Sequence, residues 1–231
     1  MATFRASADG FAFTNSWPRQ PALRLATPFG RLPLGNAANG LCGGMVFAAL
    51  DYWHAGVAPP TQRPGTDDPL YDFIVRRLID SWHIPAGVLQ YYQWMTLPDA
   101  DRVVTVLGHQ VASERGLSWR TLEVEWPQVR ESLDAGTPVP LGLVTVASAN
   151  PKDLALNHQV LAWSYSVEGG RDGRVTVDVY DPNSGQSDGV TIAFELGDPV
   201  GPTTFDHTVD ISRPVRGFFA TVYAPAAPPT S

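Results

Sequence analysis

At Pro138 the sequence changes period, and that change constrains the fold more than any other feature of its 231 residues. Before it, apolar residues recur at three- and four-residue steps; after it they alternate in short runs bounded by glycine and asparagine. The first pattern predicts a helix over 42–54, where Met45, Val46, Ala49, Leu50 and Trp53 form a stripe, Phe47 and Ala48 widen it, and Gly56 supplies the stop. A second helix is expected over 69–82 behind Asp67 and Asp68 as caps, a third over 86–95, a fourth over 99–113, and a short one over 126–134 closed by Gly136. Residues 119–125 fit neither pattern. Strands are expected at 138–147, 158–166, 174–180, 189–195 and 217–223, and the turn chemistry of 168–173 makes the second and third a hairpin. Helices and strands segregated in this way predict an α+β fold, an N-terminal helical part packed on a C-terminal antiparallel sheet, with a site where the layers meet.

The flanks differ. Prolines 18, 21, 28 and 33 exclude a helix from residues 1–34, which read as an extended arm and an irregular loop whose Phe11, Phe13, Trp17 and Phe29 cover the core. One domain is expected over 35–223, and 224–231 read as a disordered tail. A net charge of −7 without a basic cluster argues against a nucleic-acid partner. One cysteine permits no intrachain disulfide, and neither a membrane span nor an apolar signal segment is visible, so a cytoplasmic protein is the expectation.

The one cysteine, Cys42, lies in Gly40-Leu41-Cys42-Gly43-Gly44 at the start of the first helix. Free N–H groups and the helix dipole there favour a thiolate, the nucleophilic form. A thiolate nucleophile needs a base, and the base an orienting partner. Among five histidines, His54, His83 and His109 fall in helical contexts and His207 in a surface turn. His158 starts a strand directly after a polar loop, and the returning hairpin strand ends in Tyr180-Asp181-Pro182-Asn183, which brings Asp181 near its level. Cys42, His158 and Asp181 are therefore the expected catalytic residues. The histidines lack short paired spacing, so no metal and no cofactor is expected. The segment 181–189 has a calcium-loop flavour but no bidentate glutamate, and reads as a plain turn.

In that order these residues resemble the papain-like cysteine peptidase superfamily, closest to its bacteriocin-leader-peptidase branch. The resemblance rests on Gly40–Ala48 at the nucleophile loop, on Trp126 through Val139 leading into the sheet, and on Asn157–Tyr165 followed by Val179–Asn183. It implies a Cys-His-Asp hydrolase that cleaves a peptide or isopeptide amide in a peptide or protein substrate. The family's oxyanion glutamine stands six positions before the nucleophile; here that position is Asn36, one methylene shorter, with Asn39 as another donor. Asn183 resembles the orienting asparagine of the papain branch. The same triad would serve a cysteine acyltransferase, and the same fold a peptide-binding module without activity, with Trp53, Trp82, Trp94, Trp119 and Trp163 lining a groove. Gly40-x-Cys42-x-Gly44 also matches a nucleophile elbow, which would pair Asp181 with His207, but only 41 proline-rich residues precede it and the required sheet is missing.

Overall fold

Phe4, Phe11, Phe13 and Trp17 are all buried, and they tie the arm into the core before any long element begins. The computed structural model describes residues 3–17, 21–27, 30–36, 41–107, 109–170 and 173–229. The arm contains one short turn of helix, α1 (Ala6–Asp9), followed by β1 (Pro21–Thr27) and β2 (Gly30–Asn36). These two pair antiparallel, Leu23 opposite Leu34 and Leu25 opposite Leu32, where an irregular loop was expected. The prolines are compatible with this hairpin because Pro21 opens its strand and the leucines alternate. Phe29 lies outside the described residues.

Helix α2 (Cys42–Ala55) stops at Gly56, whose φ of 66° is the left-handed cap conformation. It is buried from Gly43 through Tyr52. Helix α3 (Pro69–Ser81) packs along it; the Asp68 side chain accepts from the Leu70 N–H at 2.8 Å, and Pro69 sits at the first helical position, where its missing N–H costs nothing. The two helices approach closely because α2 begins with glycines. A Cβ on Gly44 would collide with the Ile74 carbonyl, and one on Gly43 with the Ser81 hydroxyl and the Gln159 side chain.

Helix α4 (Ala86–Thr96) follows as expected. The helix predicted over 99–113 is not there. Its place is taken by a hairpin of β3 (Arg102–Val106) and β4 (His109–Glu114), so His109 lies on a strand. Val103-Val104-Thr105-Val106 is an unbroken β-branched run, stiff at χ1 and better suited to a pleated surface, and Leu107 turns the chain at φ 52°. Then come α5 (Leu117–Trp119), a π-helical turn over Arg120–Glu125, and α6 (Trp126–Asp134), after which Gly136 takes φ 73°.

The rest is sheet: β5 (Val139–Val144), a 3-10 turn over Pro151–Leu156, β6 (His158–Glu168), β7 (Arg174–Tyr180), β8 (Thr191–Glu195), β9 (Asp206–His207) and β10 (Gly217–Ala220). The strand order is β10-β5-β6-β7-β8-β9, antiparallel throughout. The chain is thus a mixed helix-and-sheet protein with the sheet C-terminal.

Alternation along β6 directs the layers. Leu161 joins the core of α2, α3 and the arm, whereas Val160 and Ala162 join Leu122, Trp126 and Val129 on the other face. Residues 224–229, expected as a disordered tail, are fixed: the Ala226 N–H donates to Asp51 at 2.8 Å, the Ala224 carbonyl accepts from Arg77 at 2.8 Å, and the Pro229 carbonyl accepts from the Tyr52 hydroxyl at 3.0 Å. Composition concealed this because the partners are buried groups on α2 and α3. No helix among the described residues is long and apolar enough to cross a membrane.

Candidate active site

Two element ends meet at Cys42. The residue opens α2, and β6 begins beside it with His158. Strand β7 pairs with β6 only from Leu161 onward, which leaves the first residues of β6 unpaired on that edge. The Gln159 N–H uses this freedom to donate to the Cys42 sulfur, as does the Gly43 N–H of α2. His158 hydrogen-bonds the same sulfur. Its Nε2 lies 2.8 Å from Asp181 Oδ1, which leaves Nδ1 for the sulfur.

Asp181 is fully buried just past the end of β7, and every bond it makes favours its charged form. Besides His158, it accepts from the Asn183 N–H at 2.9 Å, the Asp210 N–H at 2.8 Å and the Ser184 hydroxyl at 3.4 Å. Burial pushes its carboxyl up, but His158 and these N–H groups overcome that and hold it below the usual value. The imidazole answers in kind. Burial acts to lower its pKa, while the charge on Cys42 and the bond to Asp181 push it up to about 10. Burial likewise acts to raise the thiol, and the His158 charge, its hydrogen bond and the two N–H donors bring it below the ordinary value. Each partner favours the charged form of the other, so the contact favours a thiolate–imidazolium pair. Cys42 as a whole residue is partly exposed, while its thiol group sits in buried surroundings.

Beneath the pair lies a buried polar layer that the pattern reading missed. Tyr91, from α4, donates its hydroxyl to the His158 carbonyl at 3.2 Å, and the Gln159 side chain hydrogen-bonds the same hydroxyl. Burial, then the charge on Cys42, keeps that phenol un-ionised. Gln159 has a visible cue, a polar residue entering an apolar strand next to a histidine; Tyr91 has none, because aromatic residues on a helix read as core.

Asn15, from the arm, was also missed. Its Oδ1 accepts from the Leu41 N–H at 2.8 Å and its Nδ2 donates to Asn183 Oδ1 at 3.1 Å. Asn183, weighed as an alternative orienting residue, does not bond His158; its N–H serves Asp181 and its side chain bridges Asn15 and the Asp210 carbonyl. Asn36 is the last residue of β2, and its side chain is outside what the structure describes. Asn39 and Gly40 lie outside the described residues.

A cleft of about 470 Å³ opens on His158. The arm at Thr14–Ser16, the Ala155–Asn157 turn and the Asp210–Arg213 loop wall it. That volume suits a side chain or short peptide segment. None of the five tryptophans weighed as groove residues lines it. Among the described residues, no group of three histidine, cysteine, aspartate or glutamate side chains could hold a metal ion. His207 sits on β9 with its Nδ1 buried and unbonded, and Asp181 bonds His158, Asn183, Ser184 and Asp210 instead, so the alternative pairing of Asp181 with His207 is not made.

Comparison with models of known protein families, with curated proteins and with solved structures found no match.

Proposed function

We propose that this chain is a papain-like cysteine hydrolase that cleaves a peptide or isopeptide amide through a thioester on Cys42. The observation that carries the proposal is the continuous contact Cys42–His158–Asp181, with the sulfur at a helix N-terminus and the carboxylate fully buried behind the imidazole. In this reading the Cys42 thiolate attacks the carbonyl carbon. The oxyanion that forms faces the free N–H groups at the start of α2, with Asn36, just upstream on β2, as the amide expected to assist. The C–N bond then breaks, and the His158 imidazolium gives its proton to the departing amine. Asp181 keeps the ring oriented and its charge compensated throughout. Water enters, gives a proton to His158 as its oxygen bonds the thioester carbon, and the C–S bond breaks to release the acid and restore the Cys42 thiolate beside the His158 imidazolium.

The cleft supports a place for the amine side of the substrate. His158 lines it and Cys42 does not, and the imidazole that protonates a leaving amine must touch it. An amine acceptor occupying the same space would intercept the thioester and give acyl transfer in place of hydrolysis.

The experiment is to expose the protein to a library of electrophilic peptide probes and to follow intact mass. A single adduct on Cys42, absent from Cys42→Ala and reduced in His158→Ala, is the expected result. Turnover of a substrate found in this way that persisted in Cys42→Ala would remove the nucleophile assignment, and with it this function.

A further inference from the structure

The three groups of the candidate site come from separate elements, so something must fix their spacing. Helix α2 and strand β6 meet at the sulfur through the bonds described above and through the close approach of Gln159 to Gly43. We infer that Asn15 is a positioning residue that closes a ring of bonds around the site and thereby fixes the distance between Cys42 and His158. The inference rests on the proposed function for its consequence, and on the hydrogen bonds alone for its geometry.

The ring can be followed atom by atom. From Cys42 the chain steps back one peptide to Leu41, whose N–H donates to Asn15 Oδ1 at 2.8 Å. Asn15 Nδ2 donates to Asn183 Oδ1 at 3.1 Å. The Asn183 N–H donates to Asp181 Oδ1 at 2.9 Å, and the same oxygen meets His158 Nε2 at 2.8 Å. The imidazole returns to the sulfur. Two further bonds stiffen the Asn15 corner: its own N–H donates to the Pro182 carbonyl at 2.8 Å, and Trp17 Nε1 donates to its Oδ1 at 3.2 Å.

Only a carboxamide fits this corner. One planar group must accept from the nucleophile turn and donate to the acid turn. A carboxylate would set oxygen against the Asn183 oxygen, and an alkyl side chain would leave both partners unpaired. Because the arm enters from a distant part of the chain, it holds the two turns together without being part of either. Attraction between thiolate and imidazolium falls with separation, so a looser ring weakens the pair.

The titratable groups that face the sulfur are His158 and Tyr91, with Asp181 behind the imidazole. Asn15 carries no charge, so its removal acts on the sulfur through spacing. The test measures iodoacetamide alkylation of Cys42 from acid to neutral pH in wild type, Asn15→Ala, Asn183→Ala and the double variant. Each single variant is expected to move the midpoint upward by about one pH unit, which makes alkylation on the acid side about tenfold slower. The double variant should go no further, since both changes break the same bond. If Asn15→Ala fails to fold, Asn183→Ala still decides, because it leaves the bonds of Asn15 to Leu41 and Trp17 in place. Wild-type profiles in the folded variants, or shifts that add in the double variant, would overturn the inference. Alkylation needs no substrate, so a failed turnover experiment with Cys42→Ala would sink the proposed hydrolase while leaving this result standing.

Discussion

Helix α2 carries Cys42 at its first position and Asp51 in its third turn, and each is an acidic group near the protein interior beside a basic partner. The surroundings differ. Asp51 is 1% exposed, with Arg77 Nε 2.7 Å from its Oδ2, an ion-pair contact, and Arg77 Nη2 3.2 Å from its Oδ1. The Tyr223 hydroxyl and the Ala226 N–H also donate to Oδ1, at 2.7 and 2.8 Å. Arg77 in turn bonds Asp80 and the Ala224 carbonyl, and its guanidinium lies over both the Phe47 and the Tyr223 ring. This pair is enclosed by tail, helix and aromatic faces, and its work is to fix residues 224–229 on α2 and α3. At Cys42 the residue is partly exposed, and its partner is an imidazole, which can give a proton away. A buried charge whose partner is an arginine keeps its proton balance fixed and serves stability, while one whose partner is an imidazole is available for proton transfer.

The sharpest way to break that contrast is to remove one member of each pair and read both activity and stability. Cys42→Ala is expected to lower turnover by about ten-thousandfold or more, as loss of a nucleophile does, while thermal unfolding stays close to wild type. Asp51→Asn should do the reverse. It strips Arg77 of its buried counter-charge, and loss of one partner from a buried pair costs about 3–5 kcal/mol. Urea unfolding checks this, with peptide-probe labelling of Cys42 preserved in the folded fraction. A Cys42→Ala protein that is strongly destabilised, or an Asp51→Asn protein of wild-type stability, would erase the distinction.

His158→Ala comes next in size. Without the imidazolium, burial is left to raise the Cys42 thiol, so the thiolate fraction below neutrality collapses. The folded-state values bracket the window: the thiol lies below its ordinary 9.0 and the imidazole above its ordinary 6.5, so the pair is intact between them and is lost as pH falls through the thiol's value. At pH near 6 alkylation of the variant should be slower by about three hundredfold or more, the deficit expected when a thiolate gives way to a thiol with a pKa of ~8.5 or above. Convergence of the two rates on the alkaline side would complete the signature. Equal rates at acid pH would mean that His158 does not support the thiolate.

Much of this was legible in the sequence because it depends on local pattern. Helix α2, α6 and the hairpin of β6 and β7 follow from spacing and turn chemistry, and with them the approach of Asp181 to His158; that of Cys42 to this pair was implied by the resemblance alone. The failures have two causes, one local and one long-range. At 99–113 a periodic reading of apolar residues ignored that Val103 to Val106 are all β-branched, and a strand pair resulted. At 224–229 the composition suggested disorder because the residues that fix the tail, Asp51 and Arg77, are far away in sequence. Asn15 was hidden for the same reason, since its partners are Leu41 and Asn183. Nothing in a single stretch of sequence signals a bond that exists only after distant segments have packed.

The smallest test asks whether the two centres on α2 are independent. Tyr52 is 2% exposed and donates its hydroxyl to the Pro229 carbonyl at 3.0 Å, one of the contacts that hold the tail down. Tyr52→Phe keeps the ring in the core and removes that bond alone, at a cost of about 1 kcal/mol. Unfolding should therefore occur at a slightly lower temperature. The pH profile of Cys42 alkylation should not move, because the bonds to the sulfur come from Gly43, Gln159 and His158, none of which touches the tail. A profile that shifted with the tail would show α2 transmitting strain between its two charges, and the enclosed pair at Asp51 would then have to be counted as part of the site.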